Sequence, residues 1–266
     1  ERSGLSHEPG AAGVGEKPLP QRNQRDYPSR PTHYFERVAS TMDLVHILAE
    51  EGADAGTAVV AGEQLEGRGS RGRPWHSPPG GLWASVLLRP AVVGGIEVMS
   101  LRVGLAVAAA IEACTGEAIQ LKWPNDLMLG HRKLGGILCE ARWQGGALGW
   151  VAVGIGINVQ NAVPAELKDS AVALGQVRPG VASQDIADPI VAALRHIDLS
   201  AERLSSAELM EFERRDWLRG RELREPVHGH AAGLNDDGSL LVRTLPDGVI
   251  ALRSSSIELA MVPGSR

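Results

Sequence analysis

KLGGILCEARWQGGALGWVAVGIGINVQ, Lys133 to Gln160, reads as two long strands back to back. Apolar residues such as Ile137, Leu138, Val151 and Val153 fill both halves. Gly145 and Gly146 stand between them, and such a pair readily takes the positive φ of a tight hairpin turn. Working outward, TAVVAGEQ (57–64), GLWASVLLRP (81–90) and IQLKW (119–123) read as further strands. The segment from Glu97 to Cys114 predicts a long, mostly buried helix that Gly116 ends. Ser40 and Thr41 are cap-type residues ahead of Met42, Leu44, Val45, Leu48 and Ala49, an amphipathic helix. Helical patterns recur in parts of 165–217. From about 221 to 262 the chain changes to short strands divided by Asp-Asp-Gly and Pro-Asp-Gly turns. The fold class expected is α+β: a mixed sheet with helices, followed by a small β-barrel.

Composition bounds what such a fold can be. A chain of 266 residues, 22% charged, can bury a real core in one large or two modest domains. A formal net charge of −5 argues against nucleic acid or an anionic membrane surface as partner. Two cysteines, Cys114 and Cys139, do not make a disulfide scaffold, and both read as reduced core residues. No apolar run reaches the roughly 18 to 20 residues that span a bilayer and no signal-peptide pattern opens the chain, so a cytoplasmic home is expected. Residues 1–31, rich in Gly, Pro, Arg and Glu without apolar periodicity, read as a disordered tail, with order beginning near His33.

Four stretches carry chemistry. In GRGSRGRPW (67–75), glycines alternate with Arg68, Arg71 and Arg73, which suits a mobile loop closing over an anion; Trp75 offers a flat face to a ring. LKWPND (121–126) sets Lys122, Asn125 and Asp126 where an apolar strand meets a proline turn. RKLGGIL (132–138) opens a strand with Lys133 beside two glycines, a place for a carboxylate or phosphate. VGIGINV (153–159) has glycines inside a strand, which allow close approach of a ligand, and Asn158 to meet a base edge. Each alone also reads as ordinary structure: a solvated basic turn, a turn cap, a plain hairpin. The P-loop, nucleophile-elbow and dinucleotide fingerprints are absent, since position 68 is Arg and no third glycine or following helix completes VGIGINV.

Together, in this order and spacing, the four stretches resemble the biotin–protein ligase family, whose marks are a GRGRxGRxW-type loop, KWPND, a KLxGIL strand and a GxGxN strand. The resemblance runs from about Phe35 to Leu259. It implies a class II synthetase-like ligase domain over 32–219 and an SH3-like domain over 220–266. It also implies an enzyme that forms biotinyl-5′-AMP from biotin and ATP with Mg²⁺, then transfers biotin to a lysine of a biotin carboxyl carrier protein domain. By position, the biotin side would be Ser40, Thr41, Met42, Gln64, Arg68, Gly69, Ser70, Lys133 and Gly136. The ATP side would be Arg71, Arg73, Trp75, Asn125 and Asn158. Lys133, Arg68, Lys122 and Asp126 would carry the chemistry, and no metal-ligating set is assigned. Leu82, Trp83 and Ile137 would wall the apolar body of biotin. A homodimer stays open. So do two further readings: a lipoate–protein ligase, and a biotin-sensing repressor if a DNA-binding domain lies upstream.

Two positions depart from the family pattern: Met42 where Asn is common, and Ser70 where Arg is usual. A serine can donate one hydrogen bond to a phosphate but brings no charge and no bidentate fork. A charged hydrogen bond is worth about 1.5–3 kcal/mol, against about 1 for a neutral one. Ser70→Arg is therefore expected to slow release of the adenylate by several-fold to roughly tenfold, read from its dissociation rate. If Arg71 already supplies the charge, that rate stays unchanged and Arg71→Ala is the damaging substitution.

Overall fold

The computed structural model describes residues 30–90, 95–246, 248–253 and 257–259; the expected tail at 1–31 lies, apart from its last two residues, outside them. Seven strands form one mixed sheet. They are β1 (Thr32–Val38), β2 (Ala58–Gln64), β3 (Leu82–Leu88), β4 (Gln120–Lys122), β5 (Asp126–Leu129), β6 (Arg132–Gln144) and β7 (Ala147–Ile157). Their order is β1-β2-β3-β7-β6-β5-β4. Only β1 and β2 run parallel; every other neighbouring pair is antiparallel. The hairpin read at Gly145–Gly146 is present, and both glycines have positive φ, 57° and 86°.

Strand alternation decides which residues face which helices. Val86, Val153 and Ile155 point to one face and join a core with α2 (Ile96–Thr115), α3 (Ser183–Arg195) and α4 (Ser206–Arg215). Val59, Leu87, Trp150 and Ala152 point to the other, under Met42, Val45 and Ala49 of α1 (Thr41–Glu50). By length and composition α2 would be long and apolar enough to cross a membrane. Here Val98, Val103, Val107 and Ile111 are fully buried in the core, and Gly116, at φ 75°, stops the helix with its N–H on Glu112 O. Arg102 is buried on α2 and is satisfied by Glu208 Oε1 at 2.8 Å and by the carbonyls of Ala201 and Arg203.

From Glu222 onward the described chain forms a five-stranded antiparallel sheet in the order β11-β10-β9-β8-β12. Its strands are β8 (Glu222–Glu225), β9 (Gly229–Leu234), β10 (Leu240–Thr244), β11 (Gly248–Leu252) and β12 (Glu258–Leu259). This is the small β module expected after the mixed sheet. One indole ties it to the larger sheet, and a second anchors the chain that leads into it. Trp123, in the turn between β4 and β5, donates Nε1–H to Gly238 O at 2.9 Å in a buried bond. Trp217, just after α4, donates to Gly130 O at 2.9 Å, and its backbone N–H bonds Leu121 O at 3.0 Å.

Several local expectations need correction. Strand β5 begins at Asp126, a residue assigned to a turn. Ser40 stands at the N-cap of α1 but makes no side-chain cap bond; its hydroxyl accepts from Arg68 instead. Cys114 is exposed, because it sits on the outer side of the last turn of α2. Cys139 is partly buried, and burial pushes its thiol up to about 12.

The Trp123 bond yields a measurable expectation. Trp123→Phe keeps most of the apolar burial but leaves the Gly238 carbonyl without its donor. Orphaning a buried acceptor costs about 1–3 kcal/mol. Denaturant titration of the full chain should show a loss of that size.

Candidate active site

Beyond the end of α1, the face of the sheet that α1 covers is bare. Glu140, Leu138 and Gly136 on β6 stand opposite Ala152, Gly154 and Gly156 on β7. The first of these rows lies under α1, while the glycine rows lie past it and form the floor of a cleft of ≈ 610 Å³. That volume suits a small-molecule ligand. Side chains from elsewhere rest directly on the glycines. A Cβ at Gly154 would meet Met42 Sδ at 2.8 Å, and one at Gly156 would meet Trp75 Nε1 at 2.5 Å. Trp75 thus lies flat on the floor, and its buried Nε1 has no hydrogen-bond partner among the described residues.

One end of the cleft is neutral and rich in donors and acceptors. Gln64 Oε1 accepts from Thr41 backbone N–H at 2.9 Å and from Thr41 Oγ1 at 3.0 Å. Thr41 Oγ1 also lies 2.7 Å from Ser85 Oγ. Gln64 Nε2 donates to Ser77 Oγ at 3.0 Å, which fastens the stem of the arginine loop. Ser40 is the neighbour of this cluster and is held by Arg68 Nη1 at 3.3 Å.

The other end is cationic. Lys133 Nζ pairs with Asp126 Oδ1 at 2.6 Å and stands 4.9 Å from the centre of the Trp75 ring. Lys122 lies 5.5 Å from the centre of the Trp217 ring. Burial holds the Lys122 ammonium below the usual lysine range; Asp126 opposes this, while Lys133, Arg221 and Arg73 add to it. Asn125 Nδ2 donates to Ile137 O at 2.7 Å, so part of that side chain serves its own strand. Asn158 Oδ1 accepts from Asn161 Nδ2 at 3.0 Å in a buried pair.

The stretch GRGSRGRPW forms a narrow hairpin over the floor. Trp75 N–H bonds Gly67 O, and Gly69 N–H bonds Arg73 O, both at 2.8 Å. Ser70 Oγ is 3.5 Å from Arg73 Nη2. Arg71 sits on the exposed crest with φ 62°, a left-handed conformation uncommon outside glycine.

Of the site residues read from sequence, all but Arg71 line this one cleft. Two wall residues do not. Leu82 points to the helix-covered face and is buried in the main core. Trp83 shares the cleft face, opposite Gly156, but it is fully buried and its Nε1 donates to Pro78 O at 3.0 Å. Leu138 and Met42 are the apolar side chains on the cleft face; Ile137 and Ile155 border the cleft from the core side, with side chains in the main core like that of Leu82. Sequence reasoning missed Ser85, Glu140, Asn161 and Trp217, and the segment from Val163 to Ala171 that flanks the cationic end. Glu140 had a signal: it is a lone charge in the run LGGILCEA (134–141). Val163 to Ala171 carried none, being an irregular segment with 3₁₀ turns.

Arg68 is more tightly engaged than a phosphate-binding cation would be. It meets Glu140 twice, through Nε at 3.0 Å and Nη2 at 3.3 Å, and Asp43 at 2.7 Å. The Glu140 and Asp43 carboxylates raise its already high pKa. Among the described residues no group of three His, Cys, Asp or Glu side chains is placed to hold a metal ion.

The model of the biotin/lipoate A/B protein ligase family matches residues 34–158. The bifunctional ligase/repressor BirA of Bacillus spizizenii is 33% identical over 247 residues, 85% of this chain and 73% of that protein. The biotin–[acetyl-CoA-carboxylase] ligase of Paracoccus denitrificans is 34% identical over 210 residues, 70% of this chain and 83% of its own length. Among solved structures, the biotin protein ligase of Aquifex aeolicus in complex with biotin and ATP superposes with a TM-score of 0.71 at 29% identity, covering 87% of this chain and 99% of that one. With identity of this breadth on a shared fold, the chain belongs to the biotin/lipoate A/B protein ligase family, in its biotin–protein ligase branch.

Proposed function

We propose that this cleft joins biotin to ATP as biotinyl-5′-AMP and then passes the biotinyl group to a lysine of a carboxyl carrier protein. One observation carries this reading. A glycine floor connects a neutral hydroxyl-and-amide end to a cationic end, with an indole lying between them. A ureido ring needs paired donors and acceptors, which Ser40, Thr41 and Gln64 supply. The apolar body of biotin then runs along Met42 and Leu138. Trp75 and Asn158 serve the adenine. The relatives agree: the Paracoccus protein is named for acetyl-CoA-carboxylase, and the Aquifex structure holds biotin and ATP.

In the first step the biotin carboxylate attacks the α-phosphorus of ATP, and pyrophosphate leaves. Two anions must meet, so cations set the barrier. Lys133, Lys122 and Arg73 are the cations that serve this end, with Arg71 above them on the loop crest. Arg68 is committed to the biotin end. In the second step a carrier amine attacks the acyl carbon of the mixed anhydride, AMP leaves, and an amide forms. The loop 67–75 shields that anhydride from water. Asp126 and Asp169, the carboxylates in the cleft lining, would hold a Mg²⁺ ion brought with the triphosphate, and that ion would supply charge neutralisation. We assign this chemistry to a ligase unit over 32–219 and the five-stranded sheet to a unit beginning at 220.

The direct test is incubation with ATP, Mg²⁺, labelled biotin and an acceptor domain; label on the acceptor supports the reading and its absence refutes it. Lys133→Ala should lower biotin-dependent pyrophosphate release by roughly 10²–10³, the scale of losing one positioned donor at a charge-developing centre. Release within twofold of the unaltered protein, with an unchanged circular dichroism spectrum, would rule out that role.

Lys122 gives a pH signature. Because burial lowers its pKa, Lys122 loses its proton at lower pH than an ordinary lysine, and its cation is lost as pH rises. Adenylation should therefore fall on the alkaline side, below the usual lysine range. Lys122→Arg stays charged well past pH 12 and should move that fall upward. A pH–rate profile that Lys122→Arg leaves in place would remove Lys122 from the chemistry.

A further inference from the structure

Behind the neutral end of the cleft runs a line of hydrogen bonds that the proposed chemistry does not use. It starts at Trp150, which is buried beneath α1. Trp150 Nε1 donates to His46 Nδ1 at 3.0 Å. An indole nitrogen can only donate, so Nδ1 carries a lone pair and the ring proton sits on Nε2. His46 Nε2 then donates to Glu140 Oε2 at 3.0 Å. Glu140 accepts Arg68 through two bonds, and Arg68 Nη1 donates to Ser40 Oγ. Since the Ser40 hydroxyl accepts from Arg68, its own proton is left to be donated elsewhere. Asp43 takes the remaining reach of the guanidinium.

The two ends of this line differ in freedom. His46 is 6% exposed and Trp150 is 2% exposed, so both are fixed by the core. Arg68 belongs to the arginine loop, which is also held by the backbone rungs of its own hairpin, by the Gln64–Ser77 stem and by the seat of Trp75 on Gly156. Arg142 Nη2 approaches Glu140 at 3.6 Å but is half exposed, a weak competitor for the carboxylate. Burial alone would push the Glu140 carboxyl up; the hydrogen bonds from Arg68 and His46 outweigh this and hold it below the usual range. A bidentate guanidinium–carboxylate pair fixes direction as well as distance.

We infer that Glu140, oriented by His46 and Trp150, is a positioning residue for the biotin end: it holds Arg68, and through Arg68 it fixes the arginine loop and the donor direction of Ser40. This rests on the ligase reading above for its kinetic test and stands apart from it for its structural one. It also moves Arg68 away from the phosphates. A guanidinium shared by two carboxylates, Glu140 and Asp43, offers no net charge to ATP.

The experiment uses the full chain with three substitutions, Glu140→Gln, His46→Phe and Arg68→Ala, and the combinations that contain Arg68→Ala. Pyrophosphate release is measured against biotin and against ATP. Glu140→Gln should raise KM for biotin on the order of tenfold, the size of one lost charge-assisted bond, and leave KM for ATP within about twofold. His46→Phe should move the same constant in the same direction by less. In the Arg68→Ala background neither should add anything, because the line ends there. Equal rises in both KM values, or effects that multiply with Arg68→Ala, would overturn the inference. Amide exchange over 66–76 supplies a second measurement that needs no turnover. Glu140→Gln should speed it about tenfold, and no further once Arg68 is gone; unchanged exchange would also overturn the inference. An unaltered protein without biotin-dependent turnover would sink the ligase reading, and the exchange measurement would still judge the line.

Discussion

A strip of sheet without side chains is the constraint on which the rest of this molecule depends. On β6 and β7 the ladder pairs Gly136 with Gly156, and Leu138 with Gly154. Each glycine leaves the pleat flat where an ordinary residue would raise a wall. The backbone itself is crowded there: a Cβ at Gly135 would come within 2.5 Å of Gly156 O. The strip exists because the neighbouring rows are fully covered. Trp150 and Ala152 are roofed by α1, and Ile155 and Val153 are sealed on the far face by the helices. Flatness in one place is bought by dense packing around it.

Charge in the cleft follows a complementary logic. Its cations are not left bare. Lys133 is paired with Asp126, and Arg68 with Glu140 and Asp43. These pairs differ in how fixed they are. Lys133 is a single flexible point charge held by one carboxylate and a ring face, an arrangement that can exchange partners when an anion arrives. Arg68 is held by a planar fork at several points, which suits a structural clamp. The same loop and its surroundings thus contain one cation held by a single carboxylate and another held at several points.

Much of this was legible in the sequence. The hairpin at Gly145–Gly146 and the stop at Gly116 follow from local rules, since φ preference and strand alternation act over a few residues. The convergence of Ser40, Gln64, Lys122, Lys133 and Asn158 was legible only through the joint presence of four motifs, because their separations along the chain say nothing of distance. What stayed hidden has physical reasons. The resemblance makes Trp83 a wall residue, and it does face the cleft side; the segment at Pro78 covers it, and no pattern announces that. Ser40 looks like a helix cap, but tertiary bonding to Arg68 takes its hydroxyl. Asn161 and the stretch to Ala171 are irregular, and irregular chain has no period to read.

The bond from Trp123 to Gly238 and the seat of Trp217 against Gly130 have a mechanical meaning. Lys122 precedes Trp123 directly, and it also stands over the ring of Trp217, whose carbonyl accepts from Arg221 at the start of the small sheet. The small sheet is therefore joined to the surroundings of Lys122 by the Trp123 indole and by the backbone carbonyl of Trp217, and not by a slack tether. In leverage terms the five-stranded sheet is a handle whose shaft ends beside Lys122, at the cationic end of the cleft.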